Sequence, residues 1–241
     1  MHTSTVVIGA GRVGRTVSAR LVGARLYARG ERPDLEGCRR LMIATPDAAI
    51  AEVCGVLAPQ LAPDCAVVHF SGATSVHALD AAPGPMACVH PLQTVWPDRG
   101  PDQLQGAFAA VTGDWAVGAE LAGELGMTPF ALDDAAKPVY HAASAFASNY
   151  LVTLTHVAVG LLERAGIERG QALAALAPLQ HRTIEVAGGP PTGPIARGDA
   201  GTIAAHLEAI GPELAPLYRE LGRATLPLVD RDAAAAVRGL L

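Results

Sequence analysis

The chain has 241 residues, of which 50% are hydrophobic and 17% are charged, and its formal net charge at pH 7 is −5. A chain of this length and apolar content can bury a full core and has room for two modest domains, so the composition excludes an intrinsically disordered protein. Because there is no basic surplus, the charge gives no electrostatic basis for binding nucleic acid.

The cysteines and histidines show neither a disulfide framework nor a metal-binding pattern. The four cysteines have no C-x-x-C spacing and several lie in apolar runs, which predicts reduced, mostly buried thiols in a cytosolic protein. The eight histidines include no H-E-x-x-H or other compact ligand spacing. We therefore expect no bound metal.

One apolar stretch, residues 142–162, carries no formal charge and is long enough to cross a bilayer. It also contains Ser144, Ser148 and Asn149, which are costly to place in lipid. The sequence therefore predicts a helix buried in protein, in part against a second subunit, and no membrane association. A glycine motif begins within ten residues of Met1, so no targeting segment is expected and the predicted location is the cytoplasm.

The first apolar run, residues 5–8, leads directly into a G-x-G-x-x-G sequence. In a strand–turn–helix unit, Gly9 permits the tight turn, Gly11 lets a pyrophosphate approach bare main chain, and Gly14 lets the helix pack closely on the sheet. The phosphates lie at the helix N-terminus, where free N–H groups attract negative charge. This predicts a dinucleotide site formed by Gly9, Gly11, Arg12, Val13 and Gly14, with an ordinary glycine turn as the alternative.

The end of the second predicted strand, residues 24–28, bears on the choice of coenzyme. An NAD site usually has Asp or Glu there to hold the ribose 2′-hydroxyl, whereas Arg accommodates the 2′-phosphate of NADP. This chain has Arg29, with Arg32 nearby, while Glu31 and Asp34 are carboxylates that would suit NAD. NADP is therefore favoured and NAD stays possible. The alternative role for Arg29 is that of a solvated loop charge.

Later turns are expected at the same carboxyl edge of the sheet. Thr45 and Pro46 follow the third strand, and Ser71 and Gly72 follow the fourth, which predicts that they line the cofactor. For Thr45 and Pro46 a simple capped turn is an equal alternative. His90 stands at the end of the fifth strand beside a proline, where it binds substrate or, alternatively, bonds only the local backbone.

Apolar runs of strand length number about seven up to Leu132, and after that residue helix-length apolar segments alternate with Gly/Pro breaks. The sequence therefore predicts an α/β fold with two domains. Residues 1–132 form a Rossmann-like, doubly wound parallel sheet, and residues 133–241 form an all-α domain for substrate binding and dimerisation.

The helical half opens with one long helix that begins near Lys137. Lys137, His141, Ser144 and Ser148 recur at spacings of four, three and four, which places them on one face, with Asn149 at its margin. Polar groups on an otherwise apolar helix need partners. This face therefore borders a wet cleft or, alternatively, takes part in an internal hydrogen-bond network.

A Gly/Pro-rich crossing later presents Arg197 and Asp199 just before another predicted helix. A rigid loop of this kind can fix polar groups at a site, with Arg197 as a clamp for a substrate carboxylate. The alternative is a capped connection with exposed charges.

Five motifs together resemble one family: V-V-I-G-A-G-R-V-G, H-F-S-G-A, H-P-L-Q-T, K-P-V-Y-H-A-A-S-A-F-A-S-N-Y and T-G-P-I-A-R-G-D. They are similar to those of bacterial two-domain proteins with a Rossmann-like NAD(P)-binding domain followed by a helical domain of unassigned function. That family is similar in architecture to pyrroline-5-carboxylate reductase, ketopantoate reductase and the 6-phosphogluconate and β-hydroxyacid dehydrogenases.

The resemblance implies a helical domain like that of 6-phosphogluconate dehydrogenase, an NAD(P)-dependent active site between the domains, and homodimers formed through the helical half. In the dehydrogenase relatives a Lys, followed on the same helix by a His or Asn, contacts the reacting oxygen of the substrate. Lys137 and His141 fall where those residues would. The chain departs from that pattern because it lacks a Gly-rich lead-in before the lysine and places Asn149 two turns beyond His141.

The resulting hypothesis is hydride transfer from NADPH to a C=O or C=N bond of a small, anionic metabolite. Lys137 or His141 donates the proton and stabilises developing charge. The predicted substrate-binding residues are His90, Ser144, Ser148, Asn149 and Arg197. The alternative from a different class is an NADP-binding sensor or scaffold without turnover, because a fold does not fix a function.

Overall fold

The computed structural model describes residues 4–241, and seven strands in its first half form one sheet. In chain order the strands are β1 (Thr5–Ile8), β2 (Arg25–Tyr27), β3 (Arg40–Ile43), β4 (Ala66–His69), β5 (Met86–Pro91), β6 (Phe108–Gly113) and β7 (Thr128–Ala131). Their order across the sheet is β2-β1-β3-β4-β5-β6-β7. The predicted Rossmann-like sheet is thus confirmed.

One strand pair departs from the predicted parallel arrangement. All neighbouring strands run parallel except β5 and β6, which are antiparallel with Val89 opposite Val111. Parallel neighbours need a long crossover connection, usually an α-helix. Of residues 92–107, which join these two strands, only Pro101–Leu104 are helical, as a 3-10 turn. The chain therefore turns back beside β5 and does not cross over the sheet.

The central strands β1, β3 and β4 are buried on both faces, as their continuous apolar runs predict, whereas β2 and β7 at the sheet edges are only partly buried. Val6 and Val7 have no exposed surface and belong to two different core clusters. The register pairs Val6 with Leu41 and Val7 with Met42. Because successive side chains of a strand point to opposite faces, these two pairs contribute to opposite faces of the sheet. All four cysteines are free, buried thiols, in agreement with the sequence.

Helices cover the two faces of this sheet, and their starts are set by local signals. Helix α3 (Trp115–Glu124) begins after Asp114, whose carboxylate accepts a hydrogen bond from Val117 N at 3.0 Å and so caps the first turn. The helices of this half are α1 (Arg12–Arg20), α2 (Ile50–Leu57), α3 (Trp115–Glu124) and α4 (Lys137–Ala145).

The long helix predicted from Lys137 onward is present, but it is not α-helical throughout. Helix α4 passes into a π-helical segment, Phe146–Tyr150, and continues as α5 (Leu151–Arg164). The chain divides at this point into two compact units, one ending at Tyr150 and the other comprising Leu151–Leu241. The predicted domain boundary after Leu132 directly follows the end of β7 and stays a prediction.

The second compact unit is entirely helical. Its hydrophobic core cluster includes Ile203 and Val237, which have no exposed surface. Glu168 caps α6 (Arg169–Glu185) through Gly170 N and Gln171 N, and Asp199 caps α7 (Ala200–Ile210) through Thr202 N at 3.0 Å. The helices after α5 are α6 (Arg169–Glu185), α7 (Ala200–Ile210), α8 (Ala215–Thr225) and α9 (Arg231–Val237).

One helical stretch, Asp134–Arg164, is long and apolar enough to cross a membrane by length and composition alone. The mean hydropathy of its most apolar 18-residue window is 1.4, and only 6% of that window is buried within the chain. The expected burial in protein is therefore not supplied by this chain itself. Val139 is 76% exposed and Phe146 is 72% exposed.

Candidate functional site

The carboxyl ends of β1, β3, β4 and β5 meet at one edge of the sheet, because these strands are parallel and adjacent. The segments that follow β1, β3 and β4 begin at Gly9, Ala44 and Phe70, and His90 is the second-last residue of β5. Topology thus gathers every predicted loop of the first unit at this edge. In open α/β sheets this is the edge where ligands bind.

The glycine motif has the geometry that its three glycines require. Gly9 has a φ of +109°, and a Cβ on it would lie 2.5 Å from Ala44 O. A Cβ on Gly14 would lie 1.9 Å from Gly9 O, so only glycine lets α1 approach the turn this closely. Gly11 has nothing within 4 Å of its added Cβ, and it is the N-cap of α1. Its main chain therefore faces open space at the positive end of a helix.

The cationic side chains around this loop are available, whereas the nearby carboxylates are engaged. Arg12 and Arg29 are exposed, and neither forms an ion pair with any residue of 4–241. The carboxylate of Glu31 accepts a hydrogen bond from Ala28 N, and Asp34 pairs with Arg25 at 2.7 Å. Both carboxylates that would suit NAD are thus held by the chain's own donors.

Thr45 lies at the same edge, and its hydroxyl is buried without a hydrogen-bond partner in the described chain. A buried hydroxyl without a partner is unfavourable, and a ligand atom would satisfy it. Pro46 is exposed and precedes the 3-10 turn Asp47–Ala49. The open glycine turn, the unpaired arginines and this orphaned hydroxyl together fit a nicotinamide dinucleotide. Of the other residues predicted for the dinucleotide site, Val13 is partly buried and packs against the core.

The turn after β4 is stabilised by its own polar groups. The Ser71 hydroxyl accepts hydrogen bonds from Ala73 N and Thr74 N at 3.2 and 2.9 Å. Ser71 N donates to His69 Nδ1 at 3.1 Å, and burial lowers the pKa of His69 to about 4. Because of these hydrogen bonds, Ser71 stabilises the backbone conformation of the turn that leads to Gly72.

Lys137 is the chain's only lysine, and it is 2% exposed. Its Nζ donates to Ser71 O at 3.2 Å and to Cys88 Sγ at 3.0 Å. The Cys88 thiol in turn donates to Ser71 O at 3.1 Å, and burial raises the pKa of that thiol. Lys137 therefore belongs to an internal network, which is one of the two alternatives for its helix face, and it holds the turn at Ser71.

Asp134 holds the start of this helix on the sheet edge. Its carboxylate accepts hydrogen bonds from Ser75 Oγ at 2.6 Å and from Val76 N at 2.8 Å. The pKa of Asp134 is lowered by these two hydrogen bonds and by the charge of Lys137, which outweigh burial acting in the opposite direction. The carboxylate thus clamps the helix that carries Lys137 to the segment following β4.

His90, Tyr140 and His141 form an aromatic cluster against Gly72. His90 Nδ1 lies 2.7 Å from the Tyr140 hydroxyl, and the rings of His90 and His141 are 6.2 Å apart. A Cβ on Gly72 would lie 2.8 Å from His90 Nε2 and 2.9 Å from His141 Cδ2, so any larger residue here would displace at least one of the two rings. Burial, assisted by the charges of His141 and Lys137, lowers the pKa of His90 to about 4. Burial also raises the pKa of Tyr140 to about 12.

The other predicted substrate-binding residues are less closely gathered. Ser144 donates to Tyr140 O at 3.0 Å, and Ser148 lies in the π-helical segment with its hydroxyl 3.2 Å from that of Thr94. Asn149 follows it in the same segment and is exposed. Arg197 belongs to the second compact unit, where it is exposed and lies 4.0 Å from Asp199.

Three residues of this edge were not predicted from the sequence as site residues: Tyr140, Cys88 and His69. Tyr140 stands three residues after Lys137, so helical spacing alone would have placed it beside the polar face. Cys88 stands two residues before His90 on β5, on the same face of the strand. Together the residues offer neutral N–H and O–H donors and one buried amine. Within residues 4–241 no group of three His, Cys, Asp or Glu is placed to hold a metal ion.

Residues 107–225 match a family described as "Domain of unknown function (DUF2520)". No curated protein matches the chain. A candidate NADP oxidoreductase from Bacteroides fragilis is 21% identical with a TM-score of 0.76, and the alignment covers 92% of this chain and 97% of that one.

Two further solved structures align over nearly their full lengths. The reductive aminase of Aspergillus terreus, in complex with NADPH and ethyl levulinate, is 13% identical with a TM-score of 0.67 over 99% of both chains. A pyrroline-5-carboxylate reductase of Coxiella burnetii is 12% identical with a TM-score of 0.62, over 100% of this chain and 98% of that one. The resemblance inferred from the motifs is confirmed: the protein fits a two-domain family with a Rossmann-like domain followed by a helical domain, and residues 107–225 match DUF2520.

Proposed function

We propose that the protein is an NADP-dependent oxidoreductase that transfers hydride between NADPH and a C=O or C=N group of a small metabolite. One observation carries the proposal. A single edge of the sheet combines open main chain at Gly11 with a partly buried cluster of proton donors around Gly72. The first feature suits a diphosphate, and the second suits an acceptor atom that gains a proton.

The neighbours support the same class of reaction. The proteins with this fold include a reductive aminase in complex with NADPH and a pyrroline-5-carboxylate reductase. Both names denote reduction. The low identities, 13% and 12%, leave the choice of substrate to this chain's own residues.

The preference for NADP rests on charge. Arg12 and Arg29 have no ion-pair partner within residues 4–241, so their charges are free for the coenzyme's phosphates. Glu31 and Asp34, which would favour a ribose hydroxyl, already accept hydrogen bonds from Ala28 N and Arg25. Arginine is also well suited to bidentate recognition of a phosphate.

Different residues of the chain bind the cofactor, contact the substrate and hold the turn at Gly72. The bound dinucleotide supplies hydride, while Thr45, Gly9 and Gly11 line its place at the edge. His141 is exposed and adjoins His90, so it is placed to meet the substrate, whereas Lys137 is buried and holds the Ser71–Gly72 turn. The charge of Lys137 beneath that turn favours an anionic acceptor or a developing negative charge.

The direct test incubates the protein with NADPH and a panel of 2-oxoacids, aldehydes and cyclic imines, and follows NADPH oxidation. The proposal expects turnover with at least one class, stereospecific hydride transfer and weaker turnover with NADH. If NADPH binds and no member of the panel is reduced, the NADP-binding sensor or scaffold becomes the better account.

We also propose that a second copy of the chain covers the exposed apolar side chains of the long helix. Val139, Phe146 and Val152 are 76%, 72% and 55% exposed, which is unfavourable for a helix standing in water. Light scattering should give the mass of a dimer, and Phe146→Glu should shift it toward the monomer. A monomer at all concentrations would contradict this dimer. Binding of the protein to lipid vesicles would contradict the proposed cytoplasmic location.

A further inference from the structure

His90 and Tyr140 form a close side-chain pair between the edge of the sheet and α4. The distance from His90 Nδ1 to the Tyr140 hydroxyl is 2.7 Å, and the rings meet edge to face at 5.5 Å and 88°. His90 comes from β5 and Tyr140 from a helix 50 residues later, so this contact is tertiary. Its geometry leaves only Nε2 of the imidazole for another partner.

The direction of this hydrogen bond follows from the chemistry of the two groups. Since the pKa of His90 is lowered to about 4, the ring is neutral near pH 7 and carries one proton. The pKa of Tyr140 is raised to about 12, so the phenol keeps its proton. A phenol is a more acidic donor than a neutral imidazole N–H, and an imidazole nitrogen is the better acceptor. The Tyr140 hydroxyl therefore donates to Nδ1, and the imidazole proton is on Nε2.

The Nε2 atom of His90 adjoins the turn at Gly72 in the candidate site. It lies against Gly72, where a Cβ would come within 2.8 Å, and it has no hydrogen-bond partner in the part of the chain that the structure describes. The ring of His141 stands 6.2 Å away. A donor N–H that is held in one orientation against the turn at Gly72 and has no partner of its own within residues 4–241 is suited to a ligand heteroatom.

We propose that Tyr140 is a positioning residue that holds neutral His90 in its Nε2–H tautomer, so that this N–H is the proton donor to the heteroatom being reduced. The inference rests on the proposed function. When hydride adds to the acceptor carbon, the π electrons of C=O move to oxygen, which takes the Nε2 proton. The Tyr140 proton passes to Nδ1 in the same step, so the imidazole remains neutral and changes tautomer.

A proton from solvent is needed to return the enzyme to its starting state. The substrate has gained one hydride and one proton, and Tyr140 is left as a phenolate. A water proton then reaches Nε2 while the Nδ1 proton returns to the Tyr140 oxygen, which restores the starting arrangement. A relay of this kind explains how a histidine that is neutral near pH 7 delivers a proton without first becoming an imidazolium.

A second His–Tyr pair in the chain provides a matched control. His206 Nδ1 lies 2.9 Å from the Tyr218 hydroxyl, with the rings 5.9 Å apart and at 86°. This pair belongs to the second compact unit and has no part in the proposed chemistry. Tyr218→Phe removes the same hydroxyl from the same geometry.

The test is 15N NMR of histidine-labelled protein without coenzyme, with His90→Gln used to assign the His90 signals. In the wild type we expect a protonated Nε2 and a hydrogen-bonded, unprotonated Nδ1. Tyr140→Phe should move the Nδ1 signal to that of a free acceptor nitrogen, and Tyr218→Phe should move only the His206 signals. A wild-type spectrum with the proton on Nδ1 overturns the proposal, and it does so even if Tyr140→Phe fails to fold. An Nδ1 signal that does not change in a folded Tyr140→Phe protein overturns it as well.

Measurements of kcat and of the Kd for NADPH provide a second test. Tyr140→Phe should lower kcat at least about tenfold and leave the Kd for NADPH unchanged, while Tyr218→Phe should leave both unchanged. Unchanged kcat in Tyr140→Phe contradicts the relay. A wild-type protein with the expected NMR spectrum and no reductase activity contradicts the proposed function instead, so the two failures are distinguishable.

Discussion

The Nζ atom of Lys137 lies 3.2 Å from the main-chain oxygen of Ser71, a residue 66 positions earlier in the chain. This contact ties the first turn of α4 to the loop that follows β4, and Cys88 Sγ completes the triangle at 3.0 Å from Nζ. Because the next residue, Gly72, adjoins both His90 and His141, the lysine holds the turn against which the proton donors pack.

Replacing this lysine should separate catalysis from cofactor binding. In Lys137→Met the buried amine becomes an apolar group of similar length, so we expect a stability change within about 2 kcal/mol. Turnover should fall about a hundredfold or more, because the Ser71–Gly72 turn loses its donor. The affinity for NADPH, measured by fluorescence titration, should change far less. Equal losses in both would place Lys137 in the cofactor site.

The close approach at Gly72 gives a second prediction. The added methyl group of Gly72→Ala would lie 2.8 Å from His90 Nε2, so the imidazole must shift and reductase activity should fall at least about tenfold. Gly55→Ala is the control, since this glycine lies within α2 with nothing within 4 Å of its added Cβ. Gly55→Ala should stabilise the fold by up to about 1 kcal/mol and leave activity intact. Full activity in Gly72→Ala would show that the two histidines do not act at this turn.

Coenzyme preference should depend on Arg29. Arg29→Ala removes a cation that has no ion-pair partner within residues 4–241, so the affinity for NADPH should fall about tenfold while that for NADH stays the same. Arg197→Ala, which changes an exposed arginine of the second unit, is the matched control for cofactor binding. Parallel weakening of NADPH and NADH binding in Arg29→Ala would argue against a 2′-phosphate contact.

Stability should rise with pH between about 4 and 6.5. His69 and His90 both have a pKa lowered to about 4 by burial, whereas an unfolded histidine titrates near 6.5. In this window the unfolded chain binds two protons that the folded chain does not. Acidification therefore lowers the free energy of unfolding by at most about 2.7 kcal/mol per pH unit.

Urea unfolding at pH 5 and pH 7 measures this slope. The double variant His69→Gln, His90→Gln should lose most of it, and His181→Gln, which alters an exposed histidine, should keep it. Carboxylates with a lowered pKa, such as Asp134, act mainly below the window. Equal stability of the wild type at pH 5 and pH 7 would contradict the burial of the two neutral imidazoles.

Local patterns were sufficient for most of the fold. The apolar runs predicted all seven strands, and the glycine spacing predicted the turn into α1, because both depend on residues adjacent in the chain. The antiparallel pairing of β5 with β6 was not predicted, since the direction of a strand depends on the connection that precedes it.

The candidate site was predicted less completely. Helical spacing placed Lys137 and His141 near one another but did not show that one is buried and the other exposed. That difference arises from Ser71 and Cys88, which approach Lys137 from distant parts of the chain. Helical spacing places Tyr140 beside the polar face, but it does not show that the hydroxyl meets His90 on a strand from a distant part of the chain.

In this account the main chain at Gly11 receives the diphosphate of a nicotinamide coenzyme. Titration of the wild type and of Gly11→Ala with NADPH tests that contact most directly. An added Cβ at Gly11 meets nothing within 4 Å and the φ there is −75°, so the variant should fold as the wild type does. We predict saturable binding of NADPH to the wild type and at least about tenfold weaker binding to Gly11→Ala, with an unchanged free energy of unfolding. Equal affinity in the two proteins, or no complex of the wild type with NADPH or NADH at about 1 mM, would contradict the account.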